Sequence, residues 1–315
     1  MIKRRGFFLC AALMFALLFT GCSHSNPDDG RVSVVTTNFA LYDFARAVCG
    51  DRADVIMLIS PGSESHDFEA TLADIAKIAS ADLLISVGSE DWVEDVFTAI
   101  GAEGEDVNRI SALENCELHG ASCELPGHDH EHEHHDHKGE EIDEHVWTSI
   151  PNAVLLIEKI GTEMMRIDPE NGEWYRARMQ SYTGELTALD AQYREMIANA
   201  ARQTIVVADR FPFLYMAEEY GLQWHGAFSG CSSDTEPALS IIHDLIETVQ
   251  REKIPAVFII EFSDGRTAGA VASETGCGIL TLQSAHNVTR KEFREGITYL
   301  ELMRENLEAL KMALN

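Results

Sequence analysis

DPENGEWYRARMQSYTGELTALDAQYREMIAN, residues 168–199, is the stretch on which the reading of this chain turns. Asp168-Pro169 has the form of a helix N-cap followed by proline in the first turn, and Tyr182, Leu186, Leu189, Tyr193 and Met196 then recur every three or four positions. A helix over 169–199 spans roughly 45 Å at about 1.5 Å per residue, enough to run past two small domains. Gly184 inside it costs about 1 kcal/mol relative to alanine and is its weak point.

On either side of this stretch, brief apolar runs rich in valine and isoleucine alternate with helical patterns. Val32–Thr36, Val55–Ile59, Leu83–Val87, Thr204–Val207, Val257–Ile260 and Ile279–Leu282 have strand length. Leu72, Ile75 and Ile78 follow helical spacing, as do Ala238, Ile241, Ile242, Leu245 and Val249. Strands interleaved with helices argue an α/β protein with mostly parallel sheets. A closing helix is expected from Thr289, with Glu292 completing a capping box and Phe293, Ile297, Leu300, Leu307 and Leu310 as its stripe. The expected organisation is an N-terminal α/β lobe over 31–167, a linking helix over 168–200 and a C-terminal α/β lobe over 201–315.

The N-terminus reads as an address. Lys3, Arg4 and Arg5 precede the apolar run Phe7–Phe19, which is short for a membrane span and suits a signal-peptide core. Thr20-Gly21-Cys22 resembles the lipobox of bacterial lipoproteins, which implies a leader over 1–21, a lipid anchor on Cys22 and a polar tether over 22–30. The expected location is the extracytoplasmic face of the cell membrane. The chain carries 24 basic and 52 acidic residues, a net charge of −28, and loses only Lys3, Arg4 and Arg5 with the leader. Such a surface repels nucleic acid and concentrates cations. Among the seven cysteines, Cys116 and Cys123 are spaced to close a small loop in an oxidising compartment; independent thiols are the alternative.

Between Gly127 and Lys138 there is no apolar residue. His128, His130, His132, His134, His135 and His137 alternate with carboxylates, in a loop over 119–142. Imidazole with carboxylate suits zinc and its first-row neighbours better than magnesium or calcium, so the run points to auxiliary metal collection. His130-Glu131-His132-Glu133-His134 satisfies the metalloprotease pattern H-E-x-x-H. The match is compositional, because that helix needs an apolar side to lie on a core and this segment has none. An enzyme is not expected.

Further candidate ligands follow the strand runs. His66 follows Ile59 across a turn, Asp209 and Arg210 follow Val207, Glu261 follows Ile260, and His286 comes just after Leu282. In open parallel sheets, ligands bind beyond the carboxyl ends of the strands, so these residues can converge on one crevice. His145 returns the chain to order after the histidine run and can reach the same place. The charge run Glu140–Glu144 reads as solvated, His225 and His243 as surface or structural, and the four tryptophans as core or lobe-interface residues.

Pro61-Gly62-Ser63-Glu64-Ser65-His66-Asp67-Phe68-Glu69, the segment Ala81–Trp92 and Asp143-Glu144-His145-Val146-Trp147 together resemble the zinc- and manganese-binding lipoproteins that serve ABC importers, the ZnuA-like family of cluster A-I receptors. The likeness covers nearly the whole mature chain. It implies a TroA-like helical-backbone receptor: two lobes, each a mostly parallel sheet flanked by helices, joined by one long helix, with one metal at the interface. It also implies a permease and its ATPase as partners, and a monomer. Carried over by position, His66 and His145 match the family's two histidine ligands of the first lobe, and His286 falls near its last ligand. Arg210, which has no lone pair, stands where the family has a ligand in the second lobe. Asp209 is then a weaker fourth ligand and Glu261 a weak one; otherwise Arg210 pairs with Glu261. Zn2+ is the expected ion, Mn2+ the alternative, and capture with delivery the expected function. A metal-buffering or adhesin-type surface lipoprotein is the second reading, and a metallohydrolase the third.

Overall fold

Short apolar runs of valine, isoleucine and leucine underlie six of the eight strands among the described residues. In the computed structural model, which describes residues 30–64, 68–116, 142–228 and 237–315, the first sheet contains β1 (Val32–Thr36), β2 (Ala53–Met57), β3 (Leu83–Ser86) and β4 (Asn108–Ser111). Its order is β2-β1-β3-β4 and every neighbouring pair is parallel. Helices α1 (Phe39–Cys49), α2 (Leu72–Ala79) and α3 (Asp91–Ile100) lie between successive strands.

After α4 (Ile150–Ile167) and α5 (Gly172–Ala198) the pattern repeats. The second sheet contains β5 (Thr204–Val207), β6 (Gln223–Gly226), β7 (Ala256–Ile259) and β8 (Gly278–Thr281), ordered β6-β5-β7-β8 and again wholly parallel. Its intervening helices are α6 (Leu214–Tyr220), α7 (Leu239–Glu252) and α8 (Arg266–Thr275). Both sheets change direction of winding between their two central strands, which opens a crevice at the carboxyl ends of β1 and β3 and of β5 and β7.

The period of two assigns each strand residue to a face. Val34, Leu83 and Ile85 of the first sheet, with Ile205, Val207 and Phe258 of the second, belong to one core that also takes Leu186, Leu189 and Tyr193 of α5. Val35 and Leu84 pack into a smaller core behind the first sheet, and Val206 and Val257 into another behind the second. The protein is therefore two parallel-sheet lobes flanked by helices, with α5 packed into the core they share. No helix among the described residues is long and apolar enough to cross a membrane.

Helix α5 is 27 residues long, about 40 Å. Gly184 does not interrupt it, and a Cβ there would meet nothing within 4 Å. Its start differs from the N-cap reading: Asp168 closes α4, Pro169–Asn171 forms a 3-10 turn, and the Asp168 carboxylate accepts from Tyr175 Oη at 2.6 Å and Asn171 Nδ2 at 2.7 Å. Gly161 of α4 is buried where any Cβ would run into the Met179 side chain, so this glycine lets α4 and α5 approach closely.

The closing helix is two helices. α9 (Arg290–Glu295) ends at Gly296, which takes a left-handed φ of 79°, and α10 (Tyr299–Leu314) begins with its own capping box, Thr298 with Glu301. The break returns the chain to the first lobe. Buried Asp43 of α1 accepts from Tyr299 N at 2.8 Å, Tyr182 Oη at 2.6 Å and Arg46 Nη2 at 2.6 Å, tying α1, α5 and α10 together. Burial raises the Asp43 carboxyl above its ordinary range, against the opposing pull of Arg46 and the hydrogen bonds.

Candidate metal site

The chain re-enters the described residues at Ile142 and turns through Asp143, Glu144 and His145 into a 3-10 turn, Val146–Thr148. Asp143 Oδ1 accepts from His145 N at 2.8 Å and lies 2.9 Å from His145 Nδ1. With both groups buried, that contact favours the tautomer protonated on Nδ1, whose lone pair is on Nε2, the arrangement by which a carboxylate orients a metal-binding histidine. Burial pushes the Asp143 carboxyl up, but the His145 ring and its hydrogen bonds outweigh this and hold it below the ordinary range. Tyr215 Oη donates to the Asp143 carbonyl at 2.9 Å, and Thr148 Oγ1 to that of His145 at 2.8 Å, so the turn is fixed from both lobes.

His286 arrives from the end of β8. Ala285 before it has a left-handed φ of 58°, a conformation that costs a non-glycine residue about 1–2 kcal/mol and needs outside support. That support comes from Glu261, whose carboxylate accepts from Ser284 N at 2.7 Å and from Ser284 Oγ, while Ser284 Oγ accepts from His286 N at 3.2 Å. Close packing pushes the Glu261 carboxyl above its usual range, with these hydrogen bonds opposing. The loop is also held by the first lobe. Phe39 N donates to the His286 carbonyl at 3.0 Å, and Asn287 Nδ2 to the carbonyls of Ser60 and Ser63 at 2.9 and 2.8 Å.

These two supports bring the rings of His145 and His286 to 5.3 Å between centroids, nearly perpendicular at 83°. Trp147 completes the group, 5.4 Å from His145 and 5.2 Å from His286. Fully buried, it donates from Nε1 to the Ser284 carbonyl at 2.8 Å, and its own carbonyl accepts from Tyr299 Oη at 2.6 Å. Ligand atoms of Glu144, His145 and His286 all lie within 4.8 Å of one another. Metal–ligand bonds of about 2.0–2.1 Å would draw such atoms to within roughly 4 Å of each other, so a small inward movement suffices for one ion. The cavity beside the rings is small, about 30 Å³, room for one ion with at most roughly two or three waters.

The other candidates fall elsewhere. His66 lies outside the described residues, as do the histidine run His128–His137, Cys22 and Cys123. Asp209 is not part of the cluster: it accepts from Ser263 Oγ and from Arg210 N at 2.8 Å and faces a larger cavity of about 530 Å³ that adjoins the small one, sharing Glu64, Arg210 and Glu261 with it. Glu261 lines the small cavity, but its carboxylate is engaged by Ser284. Arg210 does not pair with Glu261; Nη1 meets Glu64 Oε2 of the first lobe at 3.4 Å. Glu144, expected in a solvated charge run, is instead beside the histidines, its Oε1 4.0 Å from His145 Nε2 and its other oxygen accepting from Ser89 Oγ. His243, Asp244 and Glu247 form a second group among the described residues, exposed on α7. Cys116 is a free, half-buried thiol that burial raises to about 12.

Comparison with known proteins identifies the family. The family described as zinc-uptake complex component A, periplasmic (ZnuA), matches residues 34–313. The chain belongs to the ZnuA family. It is 32% identical over 320 residues to the high-affinity zinc uptake system protein ZnuA of Bacillus subtilis, covering 99% of this chain and 98% of that one. It is 32% identical over 309 residues to the zinc-binding lipoprotein AdcA of Streptococcus pneumoniae, covering 96% of this chain but only 60% of AdcA. Among solved structures it is similar to the Zn(II)-bound ZnuA-like domain of S. pneumoniae AdcA, with 29% identity, a TM-score of 0.73 and coverage of 90% and 99%. The laminin-binding protein Lmb of Streptococcus agalactiae, with adhesin and metal transporting activity, has 26% identity, a TM-score of 0.75 and coverage of 90% and 100%.

Proposed function

We propose that this protein is an extracytoplasmic receptor that captures one divalent transition metal, zinc foremost, and hands it to an ABC permease driven by its ATPase. The observation that supports this most directly is the meeting of His145 and His286 at 5.3 Å, with the Glu144 carboxylate beside them and Asp143 setting the tautomer of His145. Two imidazoles and one carboxylate form a nitrogen-rich donor set of the kind that suits zinc; a set richer in oxygen would suit manganese. The zinc-binding and zinc-uptake names of the relatives point the same way. His66 is proposed as the remaining ligand from the first lobe.

Around this site, residues 1–21 are proposed as a lipoprotein leader, Cys22 as the lipid anchor and 22–30 as the tether. The histidine run is proposed as a weak, multivalent collector feeding the tighter cleft. The domain limits are proposed as 31–167, 168–200 and 201–315, in a monomer without enzymatic activity. The likeness to Lmb favours one second reading, surface attachment alongside metal binding.

Since an imidazole must be neutral to bind, capture should weaken as pH falls through about 6.5. Native mass spectrometry of the mature protein with limiting zinc and manganese should show one tightly held ion. Changing His66, His145 or His286 to alanine should each remove it at equal metal. Undiminished retention in the His145→Ala and His286→Ala proteins would refute the proposal.

A further inference from the structure

Two more carboxylates, Glu64 and Glu261, line the small cavity beside His145 and His286. Neither joins the group of ligand atoms within 4.8 Å. Glu261 is occupied by both donors of Ser284. Glu64 is met from across the cleft by Arg210, whose Nη1 lies 3.4 Å from Glu64 Oε2. The side chains of this pair are 29% and 45% exposed, so it is a weak stabilising device. Its significance lies in its position, because both partners form part of the cavity wall.

We infer that Arg210 is a specificity-determining residue: by holding Glu64 in an ion pair across the cleft, it withholds an oxygen donor from the cavity and keeps the site nitrogen-rich and low in coordination number. A guanidinium suits this task on three counts. It has five N–H donors and no lone pair, so it cannot become a ligand itself. It stays charged at any physiological pH, so the restraint does not relax as the medium changes. Its side chain also forms wall between this small cavity and the larger one beside it, where it takes up space that solvent would otherwise fill. Zinc accepts four ligands and tolerates this restriction, whereas manganese favours a larger, oxygen-rich set and does not. Release of Glu64 would supply the missing oxygen and open the space for solvent.

This inference rests on the metal-receptor reading, and its test separates the two. Zinc and manganese affinities are measured by chelator competition for the unaltered protein and for Arg210→Ala, Glu64→Ala, the double variant and His145→Ala. The Arg210→Ala protein should bind manganese at least about tenfold more tightly while zinc changes by less than about threefold, and the double variant should lose the gain. A manganese-to-zinc ratio unchanged in Arg210→Ala, or a gain that survives removal of Glu64, overturns the role of Arg210 while leaving the receptor intact. Zinc binding indifferent to His145→Ala would remove the receptor reading itself. If Arg210→Ala does not fold, Arg210→Gln, which keeps the length and loses the charge, should shift the ratio in the same direction, and an unshifted ratio counts against the inference.

Discussion

The two walls of the cleft are built from similar strand ends and do different work. On the first-lobe side, the turn at Asp143 to His145 presents an oriented imidazole and a carboxylate, with Asp143 holding Nδ1. On the second-lobe side, the residues beyond β5 and β7 carry as many charges, yet Asp209 is spent on Ser263, Glu261 on Ser284 and Arg210 on Glu64. The histidine that the cluster takes from that side, His286, has its carbonyl held by Phe39 of the first lobe. A strand-end carboxylate is therefore not a ligand by position alone. Asp209 and Glu261 are turned to hydroxyls of their own lobe, whereas Glu144 takes the Ser89 hydroxyl on one oxygen and keeps the other 4.0 Å from His145 Nε2.

The contrast can be broken most directly at the ligands. Loss of His145 or His286 should weaken zinc binding by more than about a hundredfold, exceeding the usual effect of an outer partner, while Asp209→Ala should leave it nearly unchanged in the same chelator competition. Equal losses from Asp209 and His286 would end the distinction between the walls. A smaller effect is expected from Asp143→Asn, which keeps the shape and removes the negative charge that orients His145. It should lower affinity by about 10–100-fold, whereas Glu261→Gln should act mainly on thermal stability.

Acid sharpens the comparison without metal. Burial pushes the Asp168 carboxyl up, but hydrogen bonds from Tyr175 and Asn171 and the nearby Arg52 outweigh it. Asp74 is likewise raised by burial and lowered further by Lys77 and Thr71. Both folded values lie below the unfolded value of about 3.9, so their stabilisation is complete above it and lost as pH falls through the depressed folded values. Melting of chelator-treated protein from pH 6 down to 2 should show its loss there. The smallest effect belongs to the helix linking the two walls. Gly184→Ala, in a helix with free space at that point, should add about 1 kcal/mol and raise the melting temperature by roughly 2–4 °C.

The strands that could be read from sequence were those written as apolar runs, which include the edge strands β2 and β8 although these are largely unburied. Six strands announced themselves as runs of valine, isoleucine and leucine, among them β1, β3, β5 and β7, the central pairs of the two sheets. The edge strands β4 and β6, Asn108–Ser111 and Gln223–Gly226, are too polar to give that signal; they are strands because β3 and β5 pair with them. The closing helix was legible as a stripe but not as two pieces, although Gly296 and the second box of Thr298 with Glu301 mark the break. At the site, the rule for strand ends applied to His286, while His145 was expected to reach the same crevice from the segment after the histidine run. Glu144 was hidden because it sits in an acidic run, and only its attachment to His145 distinguished it. Arg210 was conspicuous as a residue that cannot ligate, but nothing in the order of residues shows that it reaches Glu64 in the other lobe.

Trp147 gives this arrangement an optical consequence. Its indole has no exposure, its N–H is fixed to Ser284, and it stands edge-on to both imidazoles. An indole so enclosed emits at short wavelength, and its emission senses the charge carried by the two rings beside it. An ion arriving between His145 and His286 should therefore change the protein's own ultraviolet fluorescence, a signal to which Trp174, 37% exposed on α5, also contributes.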